Sequence, residues 1–114
     1  MGVCVMATTP EGKVKNAVKK VLAEYTHYGY WPVPAGYGES TLDYVGVING
    51  RGFLIETKAP GKTMTPRQKQ IAARARRAGA RVFVIDSTDS LELEALKSFL
   101  HFWSRRPFNL GDEP

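Results

Sequence analysis

The dipeptide Asn49-Gly50 stands between two β-prone runs, Leu42–Ile48 and Arg51–Lys58. Asn-Gly is the strongest short-range signal for a tight β-hairpin, because both residues accept the positive φ of a type I′ turn. A two-residue turn also sets the register. Pairs equidistant from it face each other, so Tyr44 opposes Ile55 and Asp43 opposes Glu56. Lys58, two residues past Glu56, emerges on the same face of the sheet. Two carboxylates and one ammonium therefore converge at the open end of a largely apolar hairpin.

Like charges directly across a sheet repel, and desolvation adds to the penalty. Two partners can offset this. Lys58 can pair with the acids, or a hard divalent cation such as Mg²⁺ or Mn²⁺ can take them as oxygen ligands. The spacing leaves both open.

The flanking sequence predicts a mixed sheet with helices. A first helix is expected from about Thr9 to Tyr28, with Val14, Val18, Val21, Leu22 and Tyr25 at helical spacing. Thr8 and Glu11 are spaced as a capping box, with Pro10 in the first turn. Trp31–Pro34 reads as a short extended segment, and Ala35–Thr41 as a glycine-bearing loop. After the loop Ala59–Met64, the signature Thr65-Pro66-Arg67-Gln68 opens a second helix that Gly79 ends. Arg81–Asp86 is a strand. Ser90–Trp103 is a third helix with the stripe Leu93, Leu96, Leu100, Trp103, and the tail after Arg105 belongs to none of these elements. Strand, helix, strand in this order is a βαβ crossover. The expectation is one α/β domain over residues 1–114, its core about 9–104, built on a mixed four-stranded sheet flanked by helices.

Charge narrows the partners. Sixteen Lys and Arg against eleven Asp and Glu give +5 in 114 residues. Between Lys58 and Arg81 lie eight basic residues and no acidic one. Such a block is the footprint expected for a polyanion, most often nucleic acid, or else a solvated helix face. The lone Cys4 excludes an internal disulfide and a cysteine zinc cluster. No apolar run reaches the roughly 18 residues of a membrane span, so no membrane partner is expected, and residues 1–6 are too short for a signal peptide. The chain reads as intracellular. Gly61-Lys62-Thr63 lacks the earlier glycine of a P-loop, since position 56 is Glu, so no nucleotide cofactor is expected. No Gly-x-Ser-x-Gly elbow is present. His27 and His101 have no metal spacing and read as surface or partly packed. Phe99, Phe102 and Trp103 read as core, or with Phe108 as a cover for a dimer face.

Asp43 followed by Glu56-Thr57-Lys58 resembles the PD-(D/E)XK nuclease signature. Gly36-Tyr37-Gly38, Leu42-Asp43, Asn49-Gly50-Arg51, Ile55–Gly61 and Thr65–Gln68 together resemble the VRR-NUC branch, the virus-type replication-repair nuclease domain, which includes small stand-alone phage enzymes. The family usually has proline before the aspartate and often glycine two residues before it. Here those positions are Leu42 and Thr41.

The resemblance implies a restriction-endonuclease-like core and a metal-dependent DNA endonuclease, acting on branched DNA such as a four-way (Holliday) junction or a flap, or on plain duplex. It implies Mg²⁺ or Mn²⁺ on Asp43, Glu56 and the main-chain carbonyl of Thr57. It gives Lys58 the attacking water and the transition-state charge, and makes Gln68 a support for the site or the nucleophile. A glutamate of the first helix often completes such a site. Glu11, in line with Val14 and Val18, is one candidate and a capping residue otherwise; Glu24 is a second candidate, or a surface partner of Lys20. Phosphate contacts fall to Lys62, Lys69, Arg74, Arg76 and Arg77, and a base or sugar contact to Tyr37. Stand-alone members often pair as homodimers, because one site cuts one strand. The alternative is a catalytically silent nucleic-acid-binding module of the same fold.

Overall fold

Asn49 and Gly50 adopt φ of 45° and 85°, the left-handed conformations that a type I′ turn requires. The register follows, with Tyr44 opposite Ile55 and Ile48 opposite Arg51. The turn is also tied down from outside: the Asn49 amide donates to the Trp103 carbonyl at 2.9 Å. A computed structural model describes residues 9–33 and 40–106. Around this hairpin the chain forms α1 (Pro10–Ala23), β1 (Tyr28–Tyr30), β2 (Tyr44–Ile48), β3 (Arg51–Thr57), α2 (Pro66–Arg77), β4 (Arg81–Ile85) and α3 (Leu91–Ser104). The strands make one mixed sheet in the order β1-β2-β3-β4. Only the β3–β4 pair is parallel, joined through α2. The architecture is α/β, a four-stranded mixed sheet with three helices.

The two faces of the sheet are covered unequally. On one, Tyr44, Ile48, Phe53, Ile55, Phe83 and Ile85 pack against Val14, Val18, Val21 and Leu22 of α1 and Leu93, Leu96, Phe99 and Leu100 of α3. Burying each such side chain contributes about 1.5–3 kcal/mol. On the other face, Leu42, Ala72 and Val82 form a smaller core with Leu54, Met64, Ile71 and Ala75. α2 is too polar to bury more than this. Ala72 is its one fully buried residue, and it shields only the β3–β4 half.

Helix boundaries follow local chemistry. Thr65 caps α2 by accepting from the Gln68 amide, while the Gln68 side chain accepts from the Thr65 amide, completing the expected box. Gly79 closes that helix at φ 100°. Ser90 caps α3. The cap of α1 differs from expectation. Thr9, not Thr8, accepts from the third helical amide, which belongs to Gly12, so Glu11 takes no part in a capping box. α1 also ends at Ala23 rather than near Tyr28, because Tyr28–Tyr30 is already paired to β2. The first strand is therefore Tyr28–Tyr30; residues 31–33 of the segment expected to be extended belong to no strand, and Pro34 lies outside the described residues. The strand's partner choice explains the shift. Gly29 lies opposite Gly46, and together they clear room for the rings of Tyr44 and Phe53.

A β-carbon on Gly46 would sit 2.6 Å from the Phe53 ring, which is itself fully buried and cannot move aside. Gly46→Ala is expected to destabilise the fold by about 1–3 kcal/mol through overpacking, read as a lower midpoint in denaturant unfolding.

Candidate active site

Glu56 is a charged residue that the sheet buries, at 3% exposure. Its position on β3 follows from the hairpin register, and the sheet pleat aims it at the face that α2 covers. Both oxygens have donors. Oε1 accepts from the Asp43 amide at 3.2 Å. Oε2 accepts from Gln68 Nε2 at 3.0 Å and lies 3.3 Å from Lys58 Nζ. Gln68 reaches it because the capping box has already oriented its amide: Gln68 Oε1 is held by the Thr65 amide at 2.9 Å, so Nε2 must face Glu56. The helix cap thus doubles as a clamp on the carboxylate, and Gln68 is a positioning residue.

Asp43 departs from the expected arrangement. β2 begins only at Tyr44, and the chain bends at Asp43, so Asp43 and Glu56 do not form a ladder pair. The bend comes from Leu42, which turns into the smaller core, 2% exposed. Asp43 Oδ2 instead accepts from the Thr57 amide at 2.9 Å and the Thr57 hydroxyl at 2.7 Å. The two carboxylates remain close enough to feel each other. Burial pushes the Glu56 carboxyl above its ordinary value, the Asp43 charge adds to this, and Lys58 pulls the other way.

Thr57 is the residue whose side chain the sequence pattern undervalues. The expected role falls on its main-chain carbonyl; its side chain, 0% exposed, is what anchors Asp43. A strand residue points its N–H and C=O to the same side. The Thr57 N–H goes to Asp43, so its carbonyl points there too, beyond the last β2–β3 pair at Tyr44 and Ile55. On the other side, the Lys58 amide continues the β4 contact by donating to the Ile85 carbonyl at 2.9 Å. A signal for this exists in the sequence: a hydroxyl residue at the open end of a hairpin, next to an acid that needs donors.

The remaining site residues disperse. Glu11 is exposed in the first turn of α1 and does not share the burial of Val14 and Val18. There a carboxylate complements the helix dipole. Glu24 is exposed as the C-cap of the same helix. Among the described residues, no group of three or more His, Cys, Asp and Glu side chains gathers to hold a metal ion. The donor set at the hairpin is thus two carboxylates and a carbonyl. Lys62, Lys69, Arg74, Arg76 and Arg77 are all exposed, Lys62 in the loop after β3 and the others along α2. Arg67 holds the chain entering β2 by donating to Ser40 at 3.1 Å. Tyr37, Cys4 and Phe108 lie outside the described residues.

His27 is structural. Its Nδ1 lies 2.7 Å from the Tyr25 carbonyl, which can only accept, so Nδ1 carries the proton and Nε2 accepts from the Tyr44 hydroxyl at 2.6 Å. His101 is exposed. Phe99 is core and Trp103 half-buried, whereas Phe102 is 48% exposed.

No protein-family profile matches the chain, and neither a curated protein nor a solved structure is significantly similar to it.

The electrostatics of the pair are measurable. A carboxyl titrating above its ordinary value binds its proton more tightly in the folded state. The Glu56 contribution to stability therefore falls as pH rises through its folded pKa, and the penalty is lifted as pH drops toward the unfolded value near 4.5. NMR titration is expected to place Glu56 above that value. Asp43→Asn should lower its pKa by removing a like charge, and Lys58→Ala should raise it.

Proposed function

We propose that the chain is a metal-dependent DNA endonuclease of the PD-(D/E)XK type, resembling the VRR-NUC branch in its motif residues. The observation that supports it best is the convergence of Asp43, Glu56, Lys58 and Gln68 at one end of the β2–β3 hairpin. The donors suit a hard cation, since two carboxylates and the Thr57 carbonyl are all oxygen ligands. Asp43, Glu56 and that carbonyl would hold Mg²⁺ or Mn²⁺, which when bound supplies a water acidic enough to attack and polarises the scissile phosphate.

The protein's own groups do the rest. Lys58 sits at the rim, its side chain 16% exposed, so its ammonium can meet a phosphate while staying beside Glu56. There it offsets charge developing on the phosphoryl oxygens. Gln68 keeps the Glu56 carboxylate aimed, and Thr57 does the same for Asp43. The basic side chains of α2 and Lys62 position the DNA backbone without reading sequence. Hydrolysis proceeds by direct attack of water, with no covalent intermediate. Branched DNA is the proposed substrate, and a homodimer with one site for each strand the proposed assembly.

One observation favours a second reading. The polar network closes without an ion, because each Glu56 oxygen and Asp43 Oδ2 already has donors. A catalytically silent DNA-binding module would look the same. Titration with Mn²⁺ and Mg²⁺ separates the two: the nuclease binds the ion in an Asp43- and Glu56-dependent manner, and the silent module does not.

Glu56→Ala and Lys58→Ala are each expected to reduce cleavage of a branched, flapped and linear DNA panel at least about a hundredfold, with binding in EDTA largely retained. Undiminished cutting by either variant rejects the site. Neutralising Arg74, Arg76 and Arg77 together should weaken binding to every DNA tested. It should also flatten the salt dependence by roughly one unit of slope for each phosphate that these side chains neutralise in the wild type.

A further inference from the structure

Strand alternation divides β1 cleanly. Gly29 faces the Tyr44 ring, so Tyr28 and Tyr30 point to the opposite face, the one that α2 shields only over β3 and β4. Tyr28 lies opposite Val47 and Tyr30 opposite Val45. Tyr28 is 74% exposed, Tyr30 54% and Val47 45%. Two tyrosines two residues apart on an edge strand are thus left in water, on a sheet floor that no helix covers among the described residues.

That floor is continuous with the candidate site. Val45 lies two residues from Asp43, and its β3 partner Leu54 two residues from Glu56. Tyr30 is therefore two strands across from Glu56, about 10 Å, and about 7 Å along the sheet. On the helix bounding the same face, Arg67, which donates to Ser40, and Arg74, which lines a space with Ser40, lie on the flank toward the chain entering β2. The helix carries no acid, and Lys58 stands beside Glu56 at the site.

We infer that the uncovered β1–β2 face is a stacking platform for an unpaired segment of DNA. Tyr28 and Tyr30 take the bases, and Arg67 and Arg74 on the near flank of α2 track the phosphates. The inference rests on the nuclease reading only for placing DNA beside Glu56; the platform itself stands on exposure and charge. Aromatic faces beside a basic groove are the general means of holding single strands, because every base offers a π-face. Charge favours this occupant, since the wall of the face is cationic. Area disfavours a second copy of the chain. The exposed parts of these side chains amount to roughly 400 Å² at most, against about 800 Å² per partner in a stable dimer.

The test is fluorescence anisotropy with labelled oligothymidylate, an abasic strand of equal length and a duplex of equal length, all in EDTA so that nothing is cut. Each of Tyr28→Ala and Tyr30→Ala should weaken oligothymidylate binding about tenfold, the loss of one base stack, while Tyr30→Phe retains it. The abasic strand and the duplex should bind the wild type and the double alanine variant equally. Thermal melting should be unchanged, because both side chains are exposed. Equal oligothymidylate affinity in the wild type and the double variant overturns the platform, as does failure of the wild type to bind it. A drop in sedimenting mass in the double variant overturns it too, assigning the face to a second copy. Catalysis is not read, so a platform that holds while Glu56→Ala still cuts rejects the proposed site alone, and the converse rejects the platform alone.

Discussion

A carboxylate inside a protein must be met by donors or by charge, and Glu56 sets the terms for its whole end of the molecule. Three segments answer it. The bend before β2 supplies the Asp43 amide, α2 the Gln68 amide, and the chain just past β3 the Lys58 ammonium. The α2 cap then fixes Gln68 itself. Removing one donor strands part of a buried charge, which costs more than the bond was worth. The geometry at this end is therefore over-determined, as a preorganised site must be.

The same residues explain why Asp43 and Glu56 can coexist. In an ideal ladder they would stand opposed on one face, with nothing between them. The bend at Asp43 relieves this by handing its Oδ2 to Thr57, whose amide and hydroxyl both reach it beyond the last β2–β3 pair. The repulsion is reduced but not removed: burial is the main cause of the raised Glu56 pKa, and the Asp43 charge adds to it. A buried carboxyl, a second acid beside it and an ammonium at the rim make a site poised to accept positive charge. This arrangement is common to functional sites and also occurs in structural ion pairs.

Where one residue pair decided the outcome, the sequence was a sufficient guide. Asn49-Gly50 specified the turn and with it every β2–β3 partner, and Thr65-Pro66-x-Gln68 specified the start of α2. Propensity had less to say where tertiary contacts competed. Tyr25 to Tyr30 can extend a helix or form a strand, and the choice went to the strand because Gly29 and Gly46 let Tyr44 and Phe53 pack between elements far apart in sequence. Glu11 was misplaced for a related reason: helical spacing put it in line with Val14, but the inward stripe starts a turn later. At the site, alternation placed Glu56 and Lys58 on one face and the family resemblance added Gln68, yet alternation could not reveal that Leu42 would pull Asp43 out of the ladder.

The unequal cover of the two sheet faces ties these points together. α1 and α3 spend their apolar stripes on one face and bury it fully. α2 is the short, basic element, with Ala72 as its one fully buried residue, and it cannot do the same for the other. A more apolar α2 would broaden that second core, but it would also remove the cations and cover the floor beside Glu56. Stability is thus concentrated on the α1–α3 side. The α2 side is left with a buried Glu56 beside a partly buried Asp43, the Lys58 ammonium, an exposed row of basic side chains on α2 and two exposed tyrosine rings on β1.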